Sequence, residues 1–101
     1  MSTEKRQHPR KVIETLVTFQ IADGARIEAR CHDVSLGGMF VDTPAPLPYG
    51  ARVRLFLRLP GLRDEAVIDA VVRWSKPTGM GVQFGAMGAR ETHALTTLIS
   101  R

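Results

Sequence analysis

"RVRLFLRL", Arg52 to Leu59, alternates more cleanly than any other stretch of this chain. Val53, Leu55, Leu57 and Leu59 share one side, and Arg52, Arg54 and Arg58 share the other; Phe56 is the exception. A period of two marks a strand with one buried face. Pro60-Gly61 closes this strand.

The same period recurs on both flanks. Upstream, Val17, Phe19 and Ile21 alternate with Leu16, Thr18 and Gln20, which predicts a strand over residues 12–21. Asp23-Gly24 follows, a common hairpin-turn pair. Ile27, Ala29, Cys31 and Asp33 then share a face, opposite Arg26, Glu28, Arg30 and His32. A short apolar piece, Met39-Phe40-Val41, comes after Gly37-Gly38. "TPAPLPYG", residues 43–50, must be a loop, because proline cannot donate to a sheet ladder. Downstream, residues 66–75 put Ile68, Ala70, Val72 and Trp74 on one face, which predicts Trp74 in the core. Lys76-Pro77-Thr78-Gly79 turns the chain, and residues 81–84 make a last short strand. The period then changes. Ala94, Leu95, Leu98 and Ile99 fall at helical spacing, so residues 89–100 form one amphipathic helix. About six short strands followed by a helix predict a mainly β fold: a small six-stranded antiparallel barrel, closed so that no sheet edge is left bare, with the helix covering an end or side.

Composition sets the bounds. A chain of 101 residues fits one domain. A single cysteine, Cys31, excludes an internal disulfide, and no CxxC or His/Cys cluster offers a zinc site. The charged N-terminus is no secretory signal, and no apolar run approaches the roughly 20 residues needed to span a bilayer. The chain reads as reduced, soluble and cytoplasmic, without membrane insertion.

Charge is concentrated at one end. In "EKRQHPRK", residues 4–11, Lys5, Arg6, Arg10 and Lys11 stand against Glu4 alone. Residues 1–11 carry a net +3, and residues 12–101 carry ten basic and nine acidic residues, a net +1. The chain therefore divides into a basic arm, 1–11, and a barrel with its helix, 12–101. The arm has too little apolar surface to offset the entropy of ordering it, so it is expected to be mobile without a ligand. Charge gathered in one place suits a small anionic partner better than a long polyanion. Sparse aromatics also count against DNA or RNA held by base stacking.

Catalysis is not expected. His8, His32 and His93 fall in the arm, on a polar strand face and in the helix. His32 and Asp33 are adjacent, which on a strand points them to opposite faces. Ser35 sits in "DVSLGG", which is not the nucleophile elbow, since position 33 is Asp. Gly79, Gly81 and Gly85 have neither the spacing nor the following helix of a dinucleotide fingerprint.

Binding chemistry is better represented. Arginine makes planar, bidentate bonds to phosphate and to the O6 and N7 edge of guanine. Arg6 and Arg10, four apart, allow one segment to grip an anionic guanine nucleotide twice. Asp33 offers a carboxylate to the amino and imino groups of guanine. Ser35 adds a hydroxyl, and Gly37-Gly38 lets the backbone turn sharply or approach a ligand closely. A plain hairpin turn, with Asp33 and Ser35 satisfying local backbone groups, accounts for the same residues.

Two motifs in order, "RQHPR" (Arg6 to Arg10) and "DVSLGG" (Asp33 to Gly38), resemble the RxxxR and [D/N]xSxxG motifs of the PilZ family, bacterial receptor domains for cyclic di-GMP. "VVRW" (Val71 to Trp74) and "GMGVQF" (Gly79 to Phe84) resemble that family's closing strands. The resemblance implies a stand-alone, non-enzymatic receptor. Cyclic di-GMP would be its ligand, and no cofactor or metal is implied. Arg6 and Arg10 would grip phosphates and guanine edges, Asp33 and Ser35 would bind a guanine from the barrel surface, and Gly38 would shape the turn. Lys5, just before the first arginine, would influence whether one or two ligand molecules bind, and Gly37 and Arg73 are further candidates. Ligand would pull the arm across the barrel, an order–disorder switch read by a downstream protein partner, with the receptor a monomer or weak dimer. The alternative is a PilZ-like adaptor that acts by protein contact with weak or no nucleotide binding.

Overall fold

The structure, a computed structural model, describes residues 10–11, 15–21, 24–59 and 61–100. Among them run β1 (Arg10–Lys11), β2 (Thr15–Gln20), β3 (Arg26–His32), β4 (Val34–Ser35), β5 (Gly38–Asp42), β6 (Arg52–Leu57), β7 (Ala66–Lys76), β8 (Gly79–Phe84) and α1 (Ala89–Ser100). Six strands close an antiparallel barrel in the order β2-β3-β5-β8-β7-β6, and β1 pairs with β4 in a separate two-stranded ladder. Closure comes from β2 meeting β6, with Phe19 opposite Leu55.

Alternation explains the interior. Val53, Leu55 and Leu57 of β6 point inward, and so do Val17 and Phe19, Met39 and Val41, Ile68 and Ala70, and Met80 and Val82. Burying a side chain of Leu or Phe size contributes about 1.5–3 kcal/mol, so this lining is the main favourable term for the barrel. Helix α1 adds Ala94 and Leu95 to the same core, and its half-buried Leu98 and Ile99 pack against that core. Phe56, the exception in the β6 pattern, lies on the outer wall, where the Arg26 guanidinium covers its ring 3.7 Å from the centroid. The proline-rich segment is a loop joining β5 to β6. Thr43 N–H donates to the Thr78 carbonyl (3.1 Å), which ties its start to the β7–β8 turn.

Three expectations from the sequence need correction. Trp74 is not in the core; it is 48% exposed. In the β7–β8 ladder Val72 pairs with Val82, but Trp74 pairs with Gly81, so Arg73 is an extra residue in a bulge. One inserted residue reverses the phase of a strand, and everything after it changes face. Ile21 and Ile27, expected inward, are each 37% exposed. Strand β5 flanks β3 only at Arg30, Cys31 and His32, so the hairpin tip at these isoleucines projects beyond the wall. Asp33 does not end β3 on its inward face. It has φ of 57°, the left-handed region, and separates β3 from β4. A short carboxylate side chain tolerates that conformation better than most.

Candidate functional site

Register builds an aromatic strip on the outer wall. His32 of β3 pairs with Phe40 of β5, Phe40 with Gly81 of β8, and Gly81 with Trp74 of β7. The next row along is Arg30, Asp42, Gly79 and Lys76. The rings of Phe40 and Trp74 stack, with centroids 5.1 Å apart and planes 25° from parallel. His32 tilts against Phe40 at 4.9 Å. The Lys76 ammonium lies 5.2 Å from the Phe40 centroid and 5.6 Å from that of Trp74, within cation–π range.

The two glycines of β8 make this possible. A Cβ at Gly79 would fall 2.5 Å from Phe40 Cζ, and one at Gly81 would fall 2.5 Å from Trp74 Cε2. Real Cβ atoms do not come that close, so the bare backbone is the bed on which both rings lie. Phe40 is buried there although it faces outward, while Trp74 keeps about half its surface open.

The turn of "DVSLGG" leaves the edge of this strip. Ser35 is 7% exposed, and its hydroxyl accepts from the amides of Gly37 (3.1 Å) and Gly38 (3.2 Å). That bonding closes the turn locally. Gly38 is needed for packing, because a Cβ there would collide with the backbone of Val82 and lie 3.3 Å from Gln83 Cα. The Gly37 carbonyl accepts from Phe84 N–H at 2.9 Å, stitching the turn to β8. Left-handed geometry at Asp33 swings its carboxylate back beside its neighbour, with Asp33 Oδ2 3.8 Å from His32 Nδ1. On a regular strand the two would face apart. The other imidazole nitrogen, Nε2, sits 3.0 and 3.1 Å from the two oxygens of Asp42.

The arm reaches this turn through its backbone. Arg10 pairs with Ser35 and Lys11 with Val34. Lys5 and Arg6 lie outside the described residues; of the arm expected to be mobile, residues 1–11, only Arg10–Lys11 are described, and they pair with β4. Arg73, in the bulge, is exposed and donates through Nε to Gln83 Oε1.

Family and fold comparisons agree with the barrel architecture. The sequence matches the PilZ domain over residues 4–101. The chain belongs to the PilZ domain family. That family is one of cyclic di-GMP receptor domains, and no catalytic family is indicated. The inhibitor of motility of Bacillus subtilis (MotI/DgrA) superposes with a TM-score of 0.76 at 25% identity, over 97% of this chain and 51% of that one. This PilZ chain thus spans about half the length of that structure. The PilZ domain of CeSA from a cellulose-synthesizing bacterium gives 0.69 at 20% identity, over 90% and 94% of the two chains, a likeness of fold. No match is found among curated proteins. No helix among the described residues of this PilZ domain is long and apolar enough to cross a membrane.

Sequence reasoning missed Trp74, Lys76, Phe40 and Asp42 as neighbours of the motif. A signal was present. Glycines two apart on a strand, Gly79 and Gly81, leave one face bare, and a bare face is what a ring needs in order to lie flat.

Proposed function

We propose that this PilZ domain binds cyclic di-GMP at the junction of the "DVSLGG" turn and the Phe40–Trp74 strip. The observation that carries this reading is the run of contacts from the Asp33 carboxylate through His32 and Phe40 to the half-open Trp74, beside an arm whose Arg10 backbone pairs with Ser35. A guanine presents an imino and an amino N–H, which a carboxylate accepts as a pair. Its flat face suits the Trp74 indole, and stacking of a base on an aromatic ring contributes about 1–3 kcal/mol. Phosphates call for the bidentate guanidinium groups of Arg10 and Arg6, with Lys5 and Lys76 adding charge. Ser35 and Gly38 act through the shape of the turn, and Gly37 does so through its bond to β8. Arg73 stands one residue from Trp74, able to exchange Gln83 for a phosphate. No step involves bond making or breaking; the output is a changed surface that a partner protein reads.

Calorimetric titration of cyclic di-GMP at near-physiological salt, with GTP as control, tests the reading. Saturable binding at micromolar concentration or tighter, absent for GTP and lost in Arg10→Ala, is expected. Absence of binding by the folded domain, or equal binding by Arg10→Ala, overturns it. The stoichiometry reports whether one or two ligand molecules are held beside Lys5.

A further inference from the structure

His32 is an unusual neighbour for a guanine-binding carboxylate. Its side chain is 29% exposed, and its two nitrogens face different acids. Nε2 lies within hydrogen-bond distance of both Asp42 oxygens, so in the neutral imidazole the proton belongs on Nε2. Nδ1 is then a lone pair, and it faces Asp33 Oδ2 from 3.8 Å without bonding to it. A second proton has one place to go. On Nδ1 it turns that nitrogen into a charged donor aimed at Asp33.

We propose that His32, held by Asp42, is a positioning residue for Asp33 and makes ligand binding proton-dependent. With His32 neutral, both oxygens of Asp33 are free to accept the paired N–H groups of guanine. With His32 protonated, one oxygen is drawn to Nδ1 and half of the paired acceptor is lost. Affinity for cyclic di-GMP therefore falls on acidification. This rests on the receptor reading above and adds to it a gate set by pH.

The surroundings support assigning the effect to this histidine. From β5, His32 meets Asp42 and the uncharged ring of Phe40. Along the chain its charged neighbours are Asp33, just after β3, and, two residues back, Arg30, whose register partner is Asp42. From β7, Lys76 reaches the strip at the Phe40 ring. Arginine and lysine keep their charge throughout the neutral range. Strand β2 meets β3 from the other side only as far as Thr15 and Cys31 among the described residues. His93, on α1, is exposed.

Two measurements test the gate separately from the receptor reading. In the free protein, nitrogen-detected NMR of the imidazole is expected to give the Nε2–H tautomer for His32 at pH 8, and the Asp33 carboxyl signal is expected to move as His32 takes its second proton. The Nδ1–H tautomer, or an Asp33 signal indifferent to His32, overturns the gate whether or not any nucleotide binds. In titrations of cyclic di-GMP between about pH 5.5 and 8, the affinity of the native chain is expected to fall about two- to fivefold toward acid, the scale of one partly exposed ion pair. His32→Gln keeps a donor for Asp42 without an ionisable ring, so its affinity is expected to be the same at every pH across that range. Asp42→Asn frees the tautomer, so it is expected to bind more weakly at pH 8. An unchanged slope in His32→Gln overturns the gate while leaving the receptor reading intact. Absence of binding at every pH overturns the receptor reading and the gate with it.

Discussion

The indole of Trp74 rests on the backbone of Gly81, so close that a Cβ at position 81 would lie 2.5 Å from Cε2 and 2.7 Å from Cδ1. Trp74 is the one tryptophan of the chain, so its fluorescence reports the surroundings of this ring.

Gly81→Ala lifts the indole from its bed and separates it from Phe40. A ring that is half exposed can swing outward, so the barrel survives. The expected loss is about 0.5–1.5 kcal/mol, the worth of one aromatic contact. The readout is a red shift of the emission maximum together with weakened binding of cyclic di-GMP. An unshifted spectrum would show that the ring does not lie on Gly81.

Gly38→Ala behaves differently, though the substitution is the same. The added methyl meets backbone, the Val82 carbonyl and Gln83 Cα, and not a movable ring. Strands β5 and β8 must separate to admit it. Chemical denaturation is expected to show a loss of about 3 kcal/mol, near the upper end for overpacking. A variant as stable as the native chain would contradict the close approach of the two strands.

Ser35→Ala removes the acceptor for two amides at once. Leaving buried donors unpaired costs about 1–3 kcal/mol. Lower ligand affinity in this variant should therefore come with a lower Tm without ligand. Lost binding at unchanged Tm would instead assign the hydroxyl to direct contact with the ligand.

Arg54→Ala serves as a control on another part of the outer wall. Arg54 Nε meets Asp69 Oδ1 at 3.0 Å, but the side chains are 55% and 70% exposed. Screening leaves such a pair little net worth, so stability is expected to change by less than about 0.5 kcal/mol. Cyclic di-GMP binding is expected to be unchanged, since Arg54 pairs with Gln20 and Asp69, far in register from His32 and Phe40.

Alternation and turn residues by themselves determined the barrel and its helix. Periods of two and of 3.6 are local consequences of backbone geometry, and they carried β6, the first part of β7 and the whole of α1 into view. The two motifs likewise marked the turn at Asp33 to Gly38. Tertiary structure decided where side chains go once regularity fails. A bulge at Arg73 carried Trp74 from the interior to the wall, and one left-handed residue, Asp33, turned its carboxylate back toward His32. Neither departure leaves a periodic trace, because each is a single residue out of phase. The strip of His32, Phe40 and Trp74 joins three strands that are 8 and 34 residues apart along the chain. Only closure of the barrel in its particular register brings them into one row.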